Sequence, residues 1–326
     1  MRKVVAGVTA ALLLAAAGCG GRAAEAAKVR LALDWYPNSN HAGVYEALER
    51  GLFEEEGLEV EVYTPADPST ILQTVGAGRD DFGISYQPDV LLARSEGVPV
   101  VSVAALVQHP LNSMMALKGS GIDRPGLLKG RKVGITGIPV EERLLETMLE
   151  YDGLEVEEVA FVNVGFDLSP ALMAGVVDAI VGAYWTHESI QMELEGYEVN
   201  VMRIEQWGVP DYYELVLVVS EETLAKRREI VERFVRAFRR GYEAAAADTQ
   251  GAVTTLVKAS PESANEEVER RGIELLAPLW TEGVPRFGWQ DAARWESYTA
   301  WMKARGLVRE GLDASAAFTN EFVAGE

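Results

Sequence analysis

The chain has 326 residues, with 30 Lys+Arg against 50 Asp+Glu, a formal charge of −20 and a pI near 4.7. That balance excludes nucleic-acid binding through a basic face and charge-driven adhesion to an anionic membrane. A single cysteine allows no intramolecular disulfide, three histidines leave any zinc site in need of carboxylates, and 48% apolar content excludes wholesale disorder.

Met1-Arg2-Lys3 is a short positive start, followed by the apolar run Val4–Ala17. The run falls short of the about 20 residues a membrane span needs, and the layout is that of a secretory signal peptide. It ends Ala16-Ala17-Gly18-Cys19, which resembles the lipobox of bacterial lipoproteins. That resemblance implies cleavage after residue 18, a signal peptide over 1–18, and a lipidated Cys19 at the new N-terminus. Residues 19–27 then form a tether, and the protein works outside the cytoplasm on a membrane anchor.

From Lys28 strands and helices alternate. Val29–Leu33 has period two and runs into Asp34-Trp35-Tyr36-Pro37, a strand entering a loop. Asn40 is the better cap for a helix over 41–50, with Asn38 the better ligand contact. Strands are predicted at 58–63, 82–85 and 98–107, with a helix from Ser69 through Val75. The rhythm repeats as strand 132–135, helix 140–151, strand 159–162, helix 168–174 and strand 179–181. Such alternation gives an α/β protein with mostly parallel sheets. At roughly 100–200 residues per domain the length fits two such units. The chain passes between units near 113–118 and again near 215–220, after which it is almost entirely helical. The expected lobes are therefore 28–117 plus 218–326, and 118–217. Trp280, Trp289, Trp295 and Trp301 lie in this helical part and read as structural.

In open α/β sheets ligands bind beyond the carboxyl ends of the strands. The segments there are 34–41, 85–89, 108–112, 137–142 and 184–188, and not one contains Arg or Lys. They hold Trp35, Tyr36, Tyr86, Tyr184 and Trp185 with amides and carboxylates, a composition suited to stacking a planar heterocycle and bonding its edge. An anion would normally recruit Arg or Lys, except at a bare helix N-terminus such as Asn40 or Gly137 offers. Trp35 is the predicted stacking face. His41 either donates to the ligand or is satisfied by loop backbone. Ser85, Tyr86 and Gln87 close a strand. Gly137 and Pro139 open a helix with N–H groups to spare, and Glu141 either faces the ligand or complements the helix dipole. Glu188 is the preferred acceptor for an exocyclic amine, and Tyr212 or Tyr213 reaches the site from the second crossing. No catalytic set, metal site or cofactor motif emerges: phosphate-binding glycine loops and the Gly-x-Ser-x-Gly elbow are missing.

The stretches LDWYPNSNHAGVYEALERGLFEEEGLEVEV, GRDDFGISYQPDVLLARSEGVPVVSVAAL, GRKVGITGIPVEERLLETML and AFTNEFV are similar to the periplasmic substrate-binding proteins that take up thiamin pyrimidine precursors such as formylaminopyrimidine and hydroxymethylpyrimidine. The likeness covers nearly all of 28–323, within a superfamily that also binds nitrate, alkanesulfonates and riboflavin. It implies the two-lobed periplasmic binding-protein fold of type II, with two hinge crossovers closing on ligand. It also implies a monomeric, non-enzymatic partner of an ABC permease and its ATPase. Tyr184 and Trp185 then match positions where relatives carry aromatic ligand contacts. Enzymatic relatives build the pyrimidine on a cofactor lysine; that lysine falls at Ser85, and a Schiff base needs an amine.

Overall fold

The computed structural model describes residues 26–165 and 167–324. The leader 1–18 and Cys19 lie outside the described residues, as does most of the tether; its last residue, Ala27, already belongs to a strand.

Ten strands form two five-stranded sheets. The first has the order β2 (Leu58–Tyr63), β1 (Ala27–Ala32), β3 (Phe82–Ser85), β10 (Leu215–Ser220), β4 (Val100–Val107). The second has the order β7 (Ala160–Asn163), β6 (Lys132–Ile135), β8 (Ala179–Tyr184), β5 (Asn112–Leu117), β9 (Val199–Arg203). Helices flank both, giving a two-lobed α/β architecture. In each sheet four strands run one way and the fifth, β10 or β5, runs against its neighbours. These two are the first strands the chain lays down after each crossing. β4 and β10 are buried along their whole length, as their unbroken apolar sequences require of strands covered on both faces.

Two sequence expectations shift. Residues 113–117 were expected to close the first lobe, but β5 pairs with β8 and β9 in the second sheet. The first passage therefore lies at 108–111, where His109-Pro110 interrupts the apolar run. The helical stretch expected after 220 begins in two pieces broken at Arg227, Glu221–Lys226 and Arg228–Ala247. Ser220 caps the first piece, its Oγ accepting from Thr223 N at 2.9 Å.

The helix Arg228–Ala247 packs against the first sheet through Phe234, whose ring stacks on Phe82 with centroids 3.8 Å apart. Trp280 and Trp295 are fully buried, and Trp289 and Trp301 pack against the core, the structural role expected from sequence, although Trp289 precedes the helix Ala292–Ala304 and Trp280 caps the end of Glu266–Leu279. The same long helix crosses the helix Ala42–Glu49 at two glycines. A Cβ on Gly241 would meet the Gly43 carbonyl oxygen and Ala47, and one on Gly43 would enter the Tyr242 ring. This close approach lets Tyr242 Oη donate to Asn40 O at 2.7 Å and pin the turn that follows β1. Gly241→Ala is expected to lower stability by about 1–3 kcal/mol by overpacking, read from urea unfolding midpoints.

Candidate functional site

The ends of several strands converge on one cavity of about 390 Å³ between the sheets. Asp34, Trp35 and Tyr36 arrive from beyond β1, Tyr86 and Asp89 from beyond β3, Thr136 and Ile138 from beyond β6, and Tyr184 from the end of β8. Asn112 opens β5 and Glu214 directly precedes β10. Because these two strands are antiparallel, their beginnings fall at the same edge as the carboxyl ends of their neighbours. The helix starting at Leu168 adds Asp167 through Pro170.

Glu214 sits at the centre of this wall. It is 3% exposed, and its Oε2 accepts from Leu111 N (2.7 Å), Asn112 N (3.1 Å) and Tyr212 Oη (3.2 Å), while Oε1 accepts from Tyr184 Oη (2.9 Å). Leu111 belongs to the outward passage and Glu214 to the return, so one carboxylate joins both crossings. His109 Nδ1 and Asp211 Oδ1, 2.9 Å apart, join them a second time. Arg294 reaches the same place, bonding the Gln108 carbonyl and pairing with Asp211.

Asp34 is the second organised acid. Its Oδ2 accepts from Tyr86 Oη at 2.9 Å, and its Oδ1 lies 2.9 Å from His41 Nε2. His41 Nδ1 accepts from Asn38 N at 3.2 Å, which leaves the proton on Nε2 to be donated to Asp34. Asn38 Oδ1 in turn accepts from Asn40 N at 2.9 Å. Asn38 is thus the cap of the turn Ser39–His41, the role expected of Asn40, while it also lines the cavity. The cap falls there because a 3₁₀ turn precedes the α-helix and moves the start back by three residues.

Glu141 is buried, and its Oε2 accepts from Thr136 N and Oγ1, each at 2.8 Å. Glu188, half-buried, takes the Tyr184 N–H at 2.7 Å. Burial pushes the carboxyls of Asp89, Glu141 and Glu214 up to about 7. Donors from Thr136 pull Glu141 back, and those around Glu214 do the same there. Asp89 has no such relief. Burial also holds the hydroxyls of Tyr86, Tyr184 and Tyr212 well above the usual tyrosine range, so they stay protonated donors.

Of the residues singled out from sequence, Trp35, Asn38, Tyr86, Glu141, Tyr184, Glu188 and Tyr212 line this cavity. Ser85 and Gly137 line a second one beside it. Three others are placed away from both. His41 is fully buried behind Asp34 and positions it. Gln87 is turned into the first lobe, its Oε1 accepting from Tyr213 N at 2.8 Å. Trp185 points away because side chains alternate along the end of β8; its Nε1 donates to Pro110 O at 3.2 Å and Arg203 lies 4.5 Å over its ring. Pro139 begins the helix Pro139–Tyr151.

Asp34, Asp89 and Asn112 lie in the segments expected at the site without being singled out from sequence, and Glu214 lies outside all of them. Glu214 carried a usable signal, a lone acid at the mouth of the apolar run Leu215–Val219. Among the described residues lining either cavity there is no arginine and no lysine, so no amine is available for a Schiff base. No three His, Cys, Asp or Glu among the described residues are grouped to hold a metal ion.

Two lobes with a lined cavity between their sheets define a class, the periplasmic binding-protein fold. The alkanesulfonate-binding protein SsuA from Xanthomonas axonopodis pv. citri shares it with a TM-score of 0.71 at 17% identity, over 91% of this chain and 99% of that one. The family profile described as NMT1/THI5 like matches residues 38–252, and the chain belongs to that family. A formylaminopyrimidine-binding protein of Halalkalibacterium halodurans is 38% identical over 296 residues, 90% of this chain and 89% of the relative. A 4-amino-5-hydroxymethyl-2-methylpyrimidine phosphate synthase of Legionella pneumophila is 28% identical over 312 residues, 91% of this chain and 92% of the relative. The family thus contains proteins named for binding and proteins named for synthesis.

The three raised carboxyls set a direction for stability. Their ordinary values lie near 4, so between about pH 4 and 7 the folded chain holds more protons than the unfolded one, and stability falls as pH rises through that window. The unliganded protein is expected to melt at a higher temperature at pH 5 than at pH 8, and Asp89→Asn to narrow the gap. Calorimetric scans at the two pH values check both.

Proposed function

We propose that this protein is the lipid-anchored substrate-binding component of an ABC importer, holding a thiamin pyrimidine precursor in the cavity between its lobes. The observation that carries the reading is the lining itself: aromatic rings beside carboxylates, with His187 and no arginine or lysine among the described lining residues. A 4-aminopyrimidine presents a flat ring, an exocyclic amine that donates, and a weakly basic ring nitrogen. Trp35 and Tyr184 supply aromatic surface for the ring, and Glu141, Glu188 and Asn38 supply edge contacts, with Glu188 taking the amine. The 38% identical formylaminopyrimidine-binding relative supports the same ligand class.

The mechanism is binding and release of an intact ligand. Ser85, in the wall of the second cavity, replaces the amine that a pyridoxal-dependent synthesis needs. Alkanesulfonates and nitrate are disfavoured by the acidic lining, since a buried anion calls for Arg, Lys or a helix N-terminus. Riboflavin calls for a longer slot able to take three fused rings. The lobe boundaries that go with this reading place the passages at 108–111 and 208–214, and the lipid on Cys19 keeps the protein beside its permease.

Titration calorimetry of the mature protein against a panel of pyrimidines, riboflavin, an alkanesulfonate and nitrate tests the ligand class. An aminopyrimidine is expected to bind at micromolar Kd or tighter, about −8 kcal/mol. Trp35→Ala should weaken it by about tenfold or more, on the order of 1.4 kcal/mol. Binding of any other panel member with no pyrimidine bound overturns the assignment. Cys19→Ala should move the protein from the membrane to the soluble extracytoplasmic fraction, read by immunoblot after fractionation.

A further inference from the structure

The cavity that would hold the ring has a neighbour of about 480 Å³. The two share Asp34, Trp35, Tyr86, Asp89, Thr136 and Ile138 as a common wall. The first cavity alone, at about 390 Å³, has room for a single six-membered ring with short substituents. Beyond the shared wall lie Ser85, Gln73, Asp67 and Glu96. Ser85 is 4% exposed and lines this second space, and its hydroxyl has no hydrogen-bond partner among the described residues. A hydroxyl of a buried residue left unpaired beside a cavity is completed by what enters the cavity.

Asp89 stands at the seam. Where Asp34 is held by Tyr86 and His41, and Glu214 by four donors, the Asp89 carboxylate accepts from no described residue. Glu141 faces it from the other lobe and adds like charge, and Asp34 shares its wall. Two aromatic residues, Trp35 and Tyr86, flank the same seam, and a cation within about 6 Å of such a ring is attracted by its quadrupole. A half-buried carboxylate beside aromatic rings, with no Arg or Lys in either lining and His187 as the basic group of the first, is chemically suited to a cationic group.

We propose that the joined cavities take an aminopyrimidine extended by a cationic arm, with the ring in the first cavity, the positive charge over Asp89 at the seam, and the far end of the arm among Ser85, Asp67 and Glu96. This rests on the pyrimidine reading above and extends it to the ligand's charge and length. Asp67, bonded to Ser69, and the exposed Glu96 stand at the mouth of the second cavity, so the field along the arm stays negative to the solvent.

Two probes separate ring from arm: 4-amino-5-hydroxymethyl-2-methylpyrimidine, which is a neutral ring, and thiamin, which carries the same kind of ring on a permanently cationic thiazolium. Both are titrated calorimetrically into the full chain at pH 8, above the about 7 at which the Asp89 carboxyl titrates. Thiamin is expected to bind about tenfold tighter than the single ring, with the advantage shrinking as salt is raised. Asp89→Asn is expected to lower the ratio of thiamin to single-ring affinity about tenfold, and Glu96→Gln by less. Binding of the single ring with thiamin equal or weaker overturns the proposal while leaving the pyrimidine reading in place. A ratio unmoved by Asp89→Asn overturns it too. Binding of neither probe overturns the proposal, and the pyrimidine panel above then decides the ligand class. The comparison of the two probes on the unaltered protein decides the matter even if a variant fails to fold.

Discussion

The structure turns on one buried carboxylate. Glu214 takes two backbone N–H groups at the end of the outward passage and two tyrosine hydroxyls, one from the return passage and one from β8 of the second sheet. An ionised acid taken out of water is costly unless its lone pairs are met, and here four donors meet them. Their alignment fixes where β5 and β10 begin, and with that the edge at which both sheets present their loops. The cavity is therefore bounded by the same contacts that hold the lobes together.

Acids around the cavity divide by how they are satisfied. Asp34, Glu141, Glu188 and Glu214 each accept a hydrogen bond from a backbone N–H or a side chain of the protein, and Asp89 and Asp167 accept none from the described residues. The first four are shaped before any ligand arrives, which lowers the ordering cost of binding. His41 belongs to this preparation. Its two ring nitrogens link Asn38 to Asp34, so the helix cap and the cavity wall are one hydrogen-bonded unit.

Much of this was legible in the sequence. Period-two alternation located β1 and β2, and glycines or prolines punctuated most helices within a residue or two. The absence of Arg and Lys from the loops after the strands carried over to the cavity wall, because the strands' carboxyl ends do form that wall. Three things escaped. β5 and β9 were unread because Asn112–Leu117 looks like the tail of the preceding apolar run, and Val199–Arg203 is half-exposed with no clean alternation. Gln87 and Trp185 were placed by their segment, whereas direction within a segment depends on a one-residue register that sequence does not display. Asn38 took the capping role expected of Asn40, in addition to lining the cavity, because a short 3₁₀ turn is invisible to a rule based on α-helical periodicity.

The two passages between lobes are straps tied to one another, by Glu214 at one point and by His109 with Asp211 at another. Straps joined this way slide past each other only by breaking buried hydrogen bonds, whereas bending both together leaves every bond intact. Twisting and shearing are thereby made dear, and a single clam-like swing is left as the soft coordinate. Whatever reads the outer surface then meets one family of shapes, graded by a single angle rather than scattered over many orientations.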